Sequence, residues 1–162
     1  MFKFLPIDNS RPVDHHTPFA IADYQYWIQR GACPELSRNL CLFDIRMQQR
    51  GHKIAVTQLH RTISQQAAMY AQGRSTPGTI ITDARPESSA HCATDNGRPA
   101  SQAFDIAIRD GSKVLWDMND QTQRFWSDTR DTGNMLSLTW GATFNNPPRD
   151  FGHFQLSTFK GN

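Results

Sequence analysis

Residues 103–116 have the sequence AFDIAIRDGSKVLW, and this stretch decides the fold class. Large apolar side chains alternate with other residues over 103–108, which is typical of a β-strand with one face in a core. The pair Asp110-Gly111 follows, and a second short run occupies residues 113–116. Because Asp-Gly between two such runs is a strong signal for a tight turn, the stretch predicts a β-hairpin and antiparallel pairing.

Helical patterns dominate the residues before this hairpin. Thr17-Pro18 is a typical helix start, Gly31 ends the helix that it opens, and residues 1–16 form an extended arm rich in Pro, Asp and His. A second helix is predicted over residues 34–50. Its apolar residues recur at helical spacing, and they are Leu36, Leu40, Phe43 and Met47.

A capping box, Thr62-x-x-Gln65, opens a third helix, from which Ile63, Ala67 and Tyr70 are expected to point inward. The other predicted elements are strands at residues 54–56, 79–82, 138–140 and 153–156 and a helix from residue 119 to about residue 136. Helices followed by a small antiparallel sheet predict an α+β fold, in which residues 17–162 form one domain.

The composition excludes several classes of protein. The 162 residues, 38% of them hydrophobic, suffice for a single core. A net charge of +2 gives no reason to expect a nucleic-acid partner, and no apolar run approaches the roughly 18 residues of a membrane span. Residues 1–8 reach Pro and Asp too early for a secretory signal. The odd number of cysteines (Cys33, Cys41 and Cys92) argues against a disulfide framework and against a cysteine zinc site.

Asp105 is the first residue that suggests chemistry. It shares a face of its strand with Ala103 and Ala107, and these small neighbours leave room beside its carboxylate. A buried carboxylate costs several kcal/mol unless an Arg, several amide donors or a metal compensates for it. The alternative is that this face of the strand is simply exposed to solvent.

Two histidines complete a candidate metal-binding set with Asp105. His153 shares a strand face with Gln155, and His91 lies in the polar segment over residues 83–101. Two imidazoles and one carboxylate form a zinc set that leaves one position open for water. The spacing alone is not diagnostic, and each histidine could instead be an ordinary core or surface residue. The string His-Glu, which the commonest zinc-protease signature requires, is absent.

Several motifs occur in the order that one family shows. Ser89-Ala90-His91, Ala103-Phe104-Asp105 and the stretch DFGHFQ at 150–155 resemble three blocks of the VanY-like metallopeptidases. These enzymes include D-alanyl-D-alanine carboxypeptidases and phage L-alanyl-D-glutamate endolysins. The stretches at residues 59–66 and 70–78 and the pair Trp140-Gly141 are also similar, so the resemblance extends from about residue 34 to residue 156.

The resemblance implies a hedgehog/DD-peptidase-like zinc peptidase fold and one Zn²⁺ per chain. His91, Asp105 and His153 match the zinc ligands of the family. Asp150 matches its general base, and Arg61 matches the residue that stabilises the substrate carbonyl or the developing oxyanion. Supporting positions close to the substrate are Ser89, Gln66 and Trp140.

The implied activity is hydrolysis of a peptide bond in the peptidoglycan stem peptide, by a monomer. Endolysin-like L-Ala-D-Glu endopeptidase activity is favoured over D-Ala-D-Ala carboxypeptidase activity. Synthesis in the cytoplasm without a signal peptide, followed by action on the cell wall in the periplasm after release, is expected. The sequence departs from the family pattern at residues 92–104, because this segment between His91 and Asp105 is longer than the family usually has.

Two other functions are consistent with parts of the sequence. A zinc-bearing binding module of the same fold would keep the ligands without turnover, although it would have no need of a base at Asp150. A muramidase would need two placed carboxylates and no metal. Of the two glutamates, Glu35 follows Pro34 in a first helical turn and Glu87 lies in a loop, so neither is in the apolar surroundings that such an acid needs.

Overall fold

The computed structural model describes residues 21–145 and 149–160. The predicted arm at residues 1–16 and the helix start at Thr17-Pro18 lie outside the described residues. The four helices of the described part are α1 (Ile21–Gln29), α2 (Pro34–Gln49), α3 (Ile63–Ala71) and α4 (Gln123–Met135). Its strands are β1 (Ile54–Gln58), β2 (Thr94–Asp95), β3 (Arg98–Pro99), β4 (Ala103–Asp110), β5 (Lys113–Leu115), β6 (Leu138–Trp140) and β7 (His153–Leu156). The predicted α+β class is confirmed.

Strand β4 is the centre of the main sheet. The strand order is β1-β4-β7-β6, and β5 also pairs with β4 through the predicted hairpin. All of these pairs are antiparallel. Asp105 is opposite Gln58 of β1 and opposite His153 of β7, so these two strands flank β4 on its two edges. The start of β4 therefore lies between β1 and β7.

The core lies on one face of this sheet, against α2. The four residues that recur at helical spacing in α2, from Leu36 to Met47, are fully buried, which confirms the predicted helix and its inward face. Phe43 of α2 contacts Phe104 of β4 and Phe154 of β7, with ring centroids 5.4 and 5.0 Å apart. Burying such aromatic side chains stabilises the fold by about 1.5–3 kcal/mol each. The opposite face of β4 carries Asp105 between two alanines.

The capping box of α3 is present, but the predicted inward face is wrong at Ile63 and Ala67, while Tyr70 is half-buried. The Thr62 hydroxyl accepts a hydrogen bond from the Gln65 backbone, and the Gln65 side chain accepts one from the Thr62 backbone. Ile63 is 56% exposed and Ala67 is also exposed, whereas Gln66 is fully buried. The helix turns a polar residue inward because Gln66 has buried hydrogen-bond partners there.

The strand predicted at residues 79–82 is also absent, and these residues pair with none of the described strands. Ile80 and Ile81 are each 43% exposed, and the segment is irregular. It is held to α3 instead, because the Gln66 amide donates to the Thr82 hydroxyl at 3.3 Å and to the Ala84 carbonyl at 2.7 Å.

The unusual segment at residues 92–104 contains a second, separate hairpin. Strands β2 and β3 pair across Asn96-Gly97, whose φ angles of 49° and 76° are those of a tight two-residue turn. Its four strand residues are exposed. The extra residues therefore project as a hairpin while the two ends of the segment remain close, at His91 and Asp105.

The three cysteines are free thiols, as the odd count predicts. No helix within residues 21–145 and 149–160 has both the length and the apolar character that spanning a bilayer requires.

A charged cluster joins the end of α2 to α4. Asp128 of α4 accepts hydrogen bonds from Arg50 at 2.9 Å and from His52 at 2.7 Å. Partial burial acts to raise the pKa of Asp128, but the His52 hydrogen bond and the Arg50 charge outweigh it and lower this pKa below 3.8. A carboxyl group whose pKa is lowered by folding stabilises the folded state above its unfolded pKa.

We expect the Asp128→Asn substitution to lower the free energy of unfolding by about 1–2 kcal/mol at pH 7, because it removes the negative charge that pairs with Arg50 and weakens the hydrogen bond with His52. The difference from wild type should shrink as the pH falls below 3.8, where the wild-type carboxyl group also becomes protonated. Urea denaturation at several pH values measures this. Asp131→Asn on the same helix, whose exposed carboxylate contacts Arg130, is the control and should have little effect.

Candidate metal centre and active site

Three separate elements bring Asp105, His153 and His91 together. The register of β4 and β7 places Asp105 directly opposite His153. His91 lies in a 3₁₀ turn over Ala90–Cys92. That turn is held between two other segments, because the Arg61 backbone donates to the His91 carbonyl at 3.0 Å and the Gln102 backbone donates to the Ala90 carbonyl at 2.9 Å.

The three side chains converge on one point. His91 Nε2 lies 3.1 Å from Asp105 Oδ1 and 3.2 Å from His153 Nδ1, and the third side of this triangle, from His153 Nδ1 to Asp105 Oδ1, is 3.0 Å. A tetrahedral zinc ion holds such ligand atoms about 2.0–2.1 Å away, and hence about 3.3–3.4 Å from one another. The donor set and its spacing therefore fit a zinc ion.

The outward nitrogen of each imidazole has an acceptor of its own. His91 Nδ1 contacts the Leu59 carbonyl oxygen, and His153 Nε2 lies 3.0 Å from Gln155 Oε1. A proton on each outward nitrogen is held by its acceptor, so the inward nitrogen, which faces Asp105, is the one that can give up its proton and bind a metal. Metal-ligating histidines are held in this way in proteins. The sequence reasoning assigned no role to Leu59 or Gln155, although strand alternation placed Gln155 on the same face as His153.

The electrostatics of Asp105 favour a cation at this point. Burial acts to raise the pKa of Asp105, but the charge of His91 and the hydrogen bonds with both histidines lower it well below its usual range. Burial likewise acts to lower the pKa of His153, and the hydrogen bond with Asp105 outweighs it and raises this pKa. The carboxylate therefore remains ionised and needs positive charge beside it.

Arg61 lies next to this cluster and is held from behind. Its Nη2 is 3.6 Å from Asp105 Oδ2, and its Nη1 donates to Gln66 Oε1 at 2.6 Å. Gln66 in turn is anchored to the segment after α3 by the bonds to Thr82 and Ala84. Gln66 thus contacts Arg61 and the cavity wall, and it orients the guanidinium group of Arg61.

Asp150 lies at the rim of the same cavity, where the Gly152 backbone donates to its Oδ1 at 3.1 Å. Partial enclosure of the carboxyl group and the negative charge of Asp105 raise the pKa of Asp150. A carboxyl group that binds a proton more readily suits general base catalysis.

The segment that carries Asp150 packs on Trp140 and Gly141. The Trp140 indole donates to the Phe151 carbonyl at 2.8 Å, and Trp140 does not line the cavity. A Cβ atom on Gly141 would lie 2.5 Å from the Asp150 carbonyl oxygen and 2.8 Å from His153 Cβ. The glycine therefore permits the close approach of two backbone segments at the site.

The site opens into a cavity of about 520 Å³. Ser89 is buried and lines this cavity beside His91. The residues that add an apolar surface are Met69, Ile81 and Phe144. The Phe144 ring lies 5.5 Å from the ring of His153, and the sequence reasoning did not identify this wall. All eight predicted site residues lie in or directly behind this one region.

Comparisons with known proteins agree with this geometry. No family model matches the chain. The peptidoglycan L-alanyl-D-glutamate endopeptidase CwlK of Bacillus subtilis (strain 168) is 26% identical over 129 residues, which are 76% of this chain and 72% of CwlK. The crystal structure of the L-Ala D-Glu endopeptidase ChiX of Serratia marcescens is similar with a TM-score of 0.52 and 21% identity, over 83% of this chain and 86% of that one.

The similarity to CwlK confirms the resemblance to the L-alanyl-D-glutamate endopeptidases that the motifs indicate. The likeness to ChiX concerns the fold, in which helices pack on a small antiparallel sheet.

We expect Gly141→Ala to weaken metal binding, although residue 141 is not a proposed metal ligand. The added Cβ would displace the backbone that carries Asp150 and His153, at a cost of about 1–3 kcal/mol. Thermal unfolding and zinc titration by calorimetry measure the two effects. The control is Thr143→Ser, which retains the hydroxyl that donates to the Trp140 carbonyl. Wild-type zinc affinity in the Gly141 variant would contradict the proposed constraint.

Proposed function

We propose that the protein is a zinc-dependent peptidoglycan peptidase that cleaves the L-Ala-D-Glu bond of the stem peptide. The observation that carries the proposal is the triangle of His91 Nε2, His153 Nδ1 and Asp105 Oδ1, with sides of 3.0–3.2 Å. Asp150 and Arg61 beside this triangle add a base and an oxyanion donor. The names of CwlK and ChiX support the substrate and the bond.

His91, Asp105 and His153 would hold the ion, and the buried imidazoles would exclude competing water from two of its sides. When bound, zinc acts as a Lewis acid that lowers the pKa of a bound water molecule toward about 7. The donor set contains three protein atoms, which is typical of a catalytic site with an open position.

Asp150 is the group that moves protons. It accepts a proton from the attacking water and returns it to the amine that leaves when the peptide bond breaks. Arg61 donates a hydrogen bond to the carbonyl oxygen as negative charge develops there, an effect worth about 3–4 kcal/mol in comparable sites. Gln66 keeps this guanidinium group in place.

The cavity volume of about 520 Å³ is in the range of small-ligand sites and suits a few residues of a stem peptide. The target is then the cell wall, which the protein reaches as a monomer of the phage endolysin type. A binding module without turnover remains the alternative, and the base position at Asp150 supports turnover.

Digestion of purified peptidoglycan tests the function directly. Mass spectrometry should find released peptides that begin with D-Glu and glycan strands whose muramic acid residues carry only L-Ala. A chelator should abolish the release, and added zinc should restore it. Release of free D-Ala alone would show a carboxypeptidase, and chelator-resistant release of reducing sugar ends would show a muramidase. Binding without any fragment would show the binding module.

Replacing the base should separate catalysis from metal binding. We expect Asp150→Ala to lose all measurable turnover while most of the bound zinc is retained. Besides the ligand Asp105, the other carboxylate that lines the cavity is Asp83, and it is paired with Arg74 at 2.9 Å. Fragment release and elemental analysis of the same sample measure both quantities. Wild-type turnover in this variant would refute the role of Asp150.

Replacing a ligand should remove the metal itself. We expect His153→Ala to lose stoichiometric zinc, since two ligands rarely retain the ion that three hold. His52→Ala is a matched control, because His52 contacts Asp128 and does not line the catalytic cavity, so the zinc content should stay unchanged. An unchanged zinc content in the His153 variant would contradict the ligand assignment.

A further inference from the structure

We propose that Gln155 is a positioning residue for the metal centre, which selects the nitrogen that His153 presents to the ion. The inference rests on the proposed zinc site and concerns how the chain prepares that site. The Oε1 atom of Gln155 lies 3.0 Å from His153 Nε2, on the side of the ring that faces away from Asp105.

Strand geometry places the two side chains together. Residues 153 and 155 are two positions apart on β7, and alternate residues of a strand project from the same face. The neighbours of Gln155 on the flanking strands are Ala103 and Thr139, which are both short. The amide therefore has room beside the imidazole ring and is half-buried there.

The chemistry of imidazole makes this contact decisive for ligation. A neutral imidazole carries one N–H proton, and only its other nitrogen can bind a metal. Since the carbonyl oxygen of the Gln155 amide can only accept, this contact keeps a proton on Nε2 of His153, and Nδ1, which faces His91 and Asp105, is the nitrogen left to bind the ion. Without that acceptor the ring could take the other tautomer, which places a proton where the ion must bind.

The arrangement at His91 is complementary. There the acceptor is the backbone carbonyl of Leu59 and the inward nitrogen is Nε2. The two histidines thus present different ring nitrogens to the metal position, and a neutral acceptor fixes the orientation of each ring. Asp105 is then the only anionic ligand. The outer nitrogen of each ring contacts a neutral acceptor, so no carboxylate adds negative charge there, and the ion keeps its strength as a Lewis acid.

Gln155 also lines the cavity, so a contact with substrate is the competing explanation. The two roles predict different measurements. A substrate contact would raise KM and leave metal affinity unchanged, whereas a positioning role changes metal affinity in the absence of substrate.

The experiment compares two variants in zinc-binding competition against a chromophoric chelator, with the unfolding temperature of the metal-free protein measured alongside. Gln155→Met keeps the length of the side chain and removes the acceptor. It should weaken zinc binding by about 10–100-fold, and the metal-free unfolding temperature should stay near that of wild type. Gln155→Glu keeps an acceptor oxygen and should bind zinc at least as tightly as wild type.

Gln48→Met is the matched control, because Gln48 contacts Asp44 on α2 and lies outside the catalytic cavity. It should retain wild-type zinc affinity. In the zinc-loaded wild type, ¹⁵N spectra of His153 should show the proton on Nε2 and the metal on Nδ1.

Zinc affinity that is unchanged in Gln155→Met, or weakened equally in the Met and Glu variants, would overturn the positioning role alone, since the wild-type site would remain. A wild-type protein that binds no zinc would overturn the proposed function together with this inference.

Discussion

The carboxylate of Asp105, whose side chain is 15% exposed, is the constraint on which the site depends. It lies at the start of the central strand, between β1 and β7, and it remains ionised although burial opposes its charge. An ionised carboxylate in such a place is costly unless positive charge or several donors surround it. Two imidazoles and the guanidinium group of Arg61 meet that need from three different segments. A divalent cation meets it more completely, and so the fold and the proposed metal chemistry have a common origin.

Around this carboxylate, much of the positioning comes from backbone and from amides without charge. The Leu59 carbonyl orients His91, and the amides of Gln66 and Gln155 orient Arg61 and His153. These contacts lie behind the residues that would do the chemistry and fix their directions before substrate binds. Preorganised groups of this kind need little rearrangement during reaction, which is where much of enzymatic rate enhancement arises.

Local patterns predicted the helices and strands well where a segment buries one regular face. The spacing in α2 and the Asp110-Gly111 turn both identified their elements, because packing and turn chemistry there agree with sequence periodicity. Prediction failed where tertiary partners override periodicity. Ile63 is outside and Gln66 inside, since Gln66 hydrogen-bonds to buried Arg61 and to Thr82 and Ala84, which lie 16 and 18 residues later in the chain. The strand predicted at residues 79–82 did not form, and the segment is instead held to α3 by the hydrogen bonds of Gln66 with Thr82 and Ala84.

The order of motifs in the chain was enough to indicate the family, the fold class and the set of candidate ligands, because those features depend on residue types and on short-range spacing. Only the folded domain shows which nitrogen of each histidine faces inward and why a glycine is needed at residue 141. It also shows that the long segment between His91 and Asp105 projects as a hairpin. These properties arise from strand register and from contacts between residues as many as 62 positions apart. No local pattern encodes such contacts, since they exist only after β4, β7 and the turn at His91 have come together.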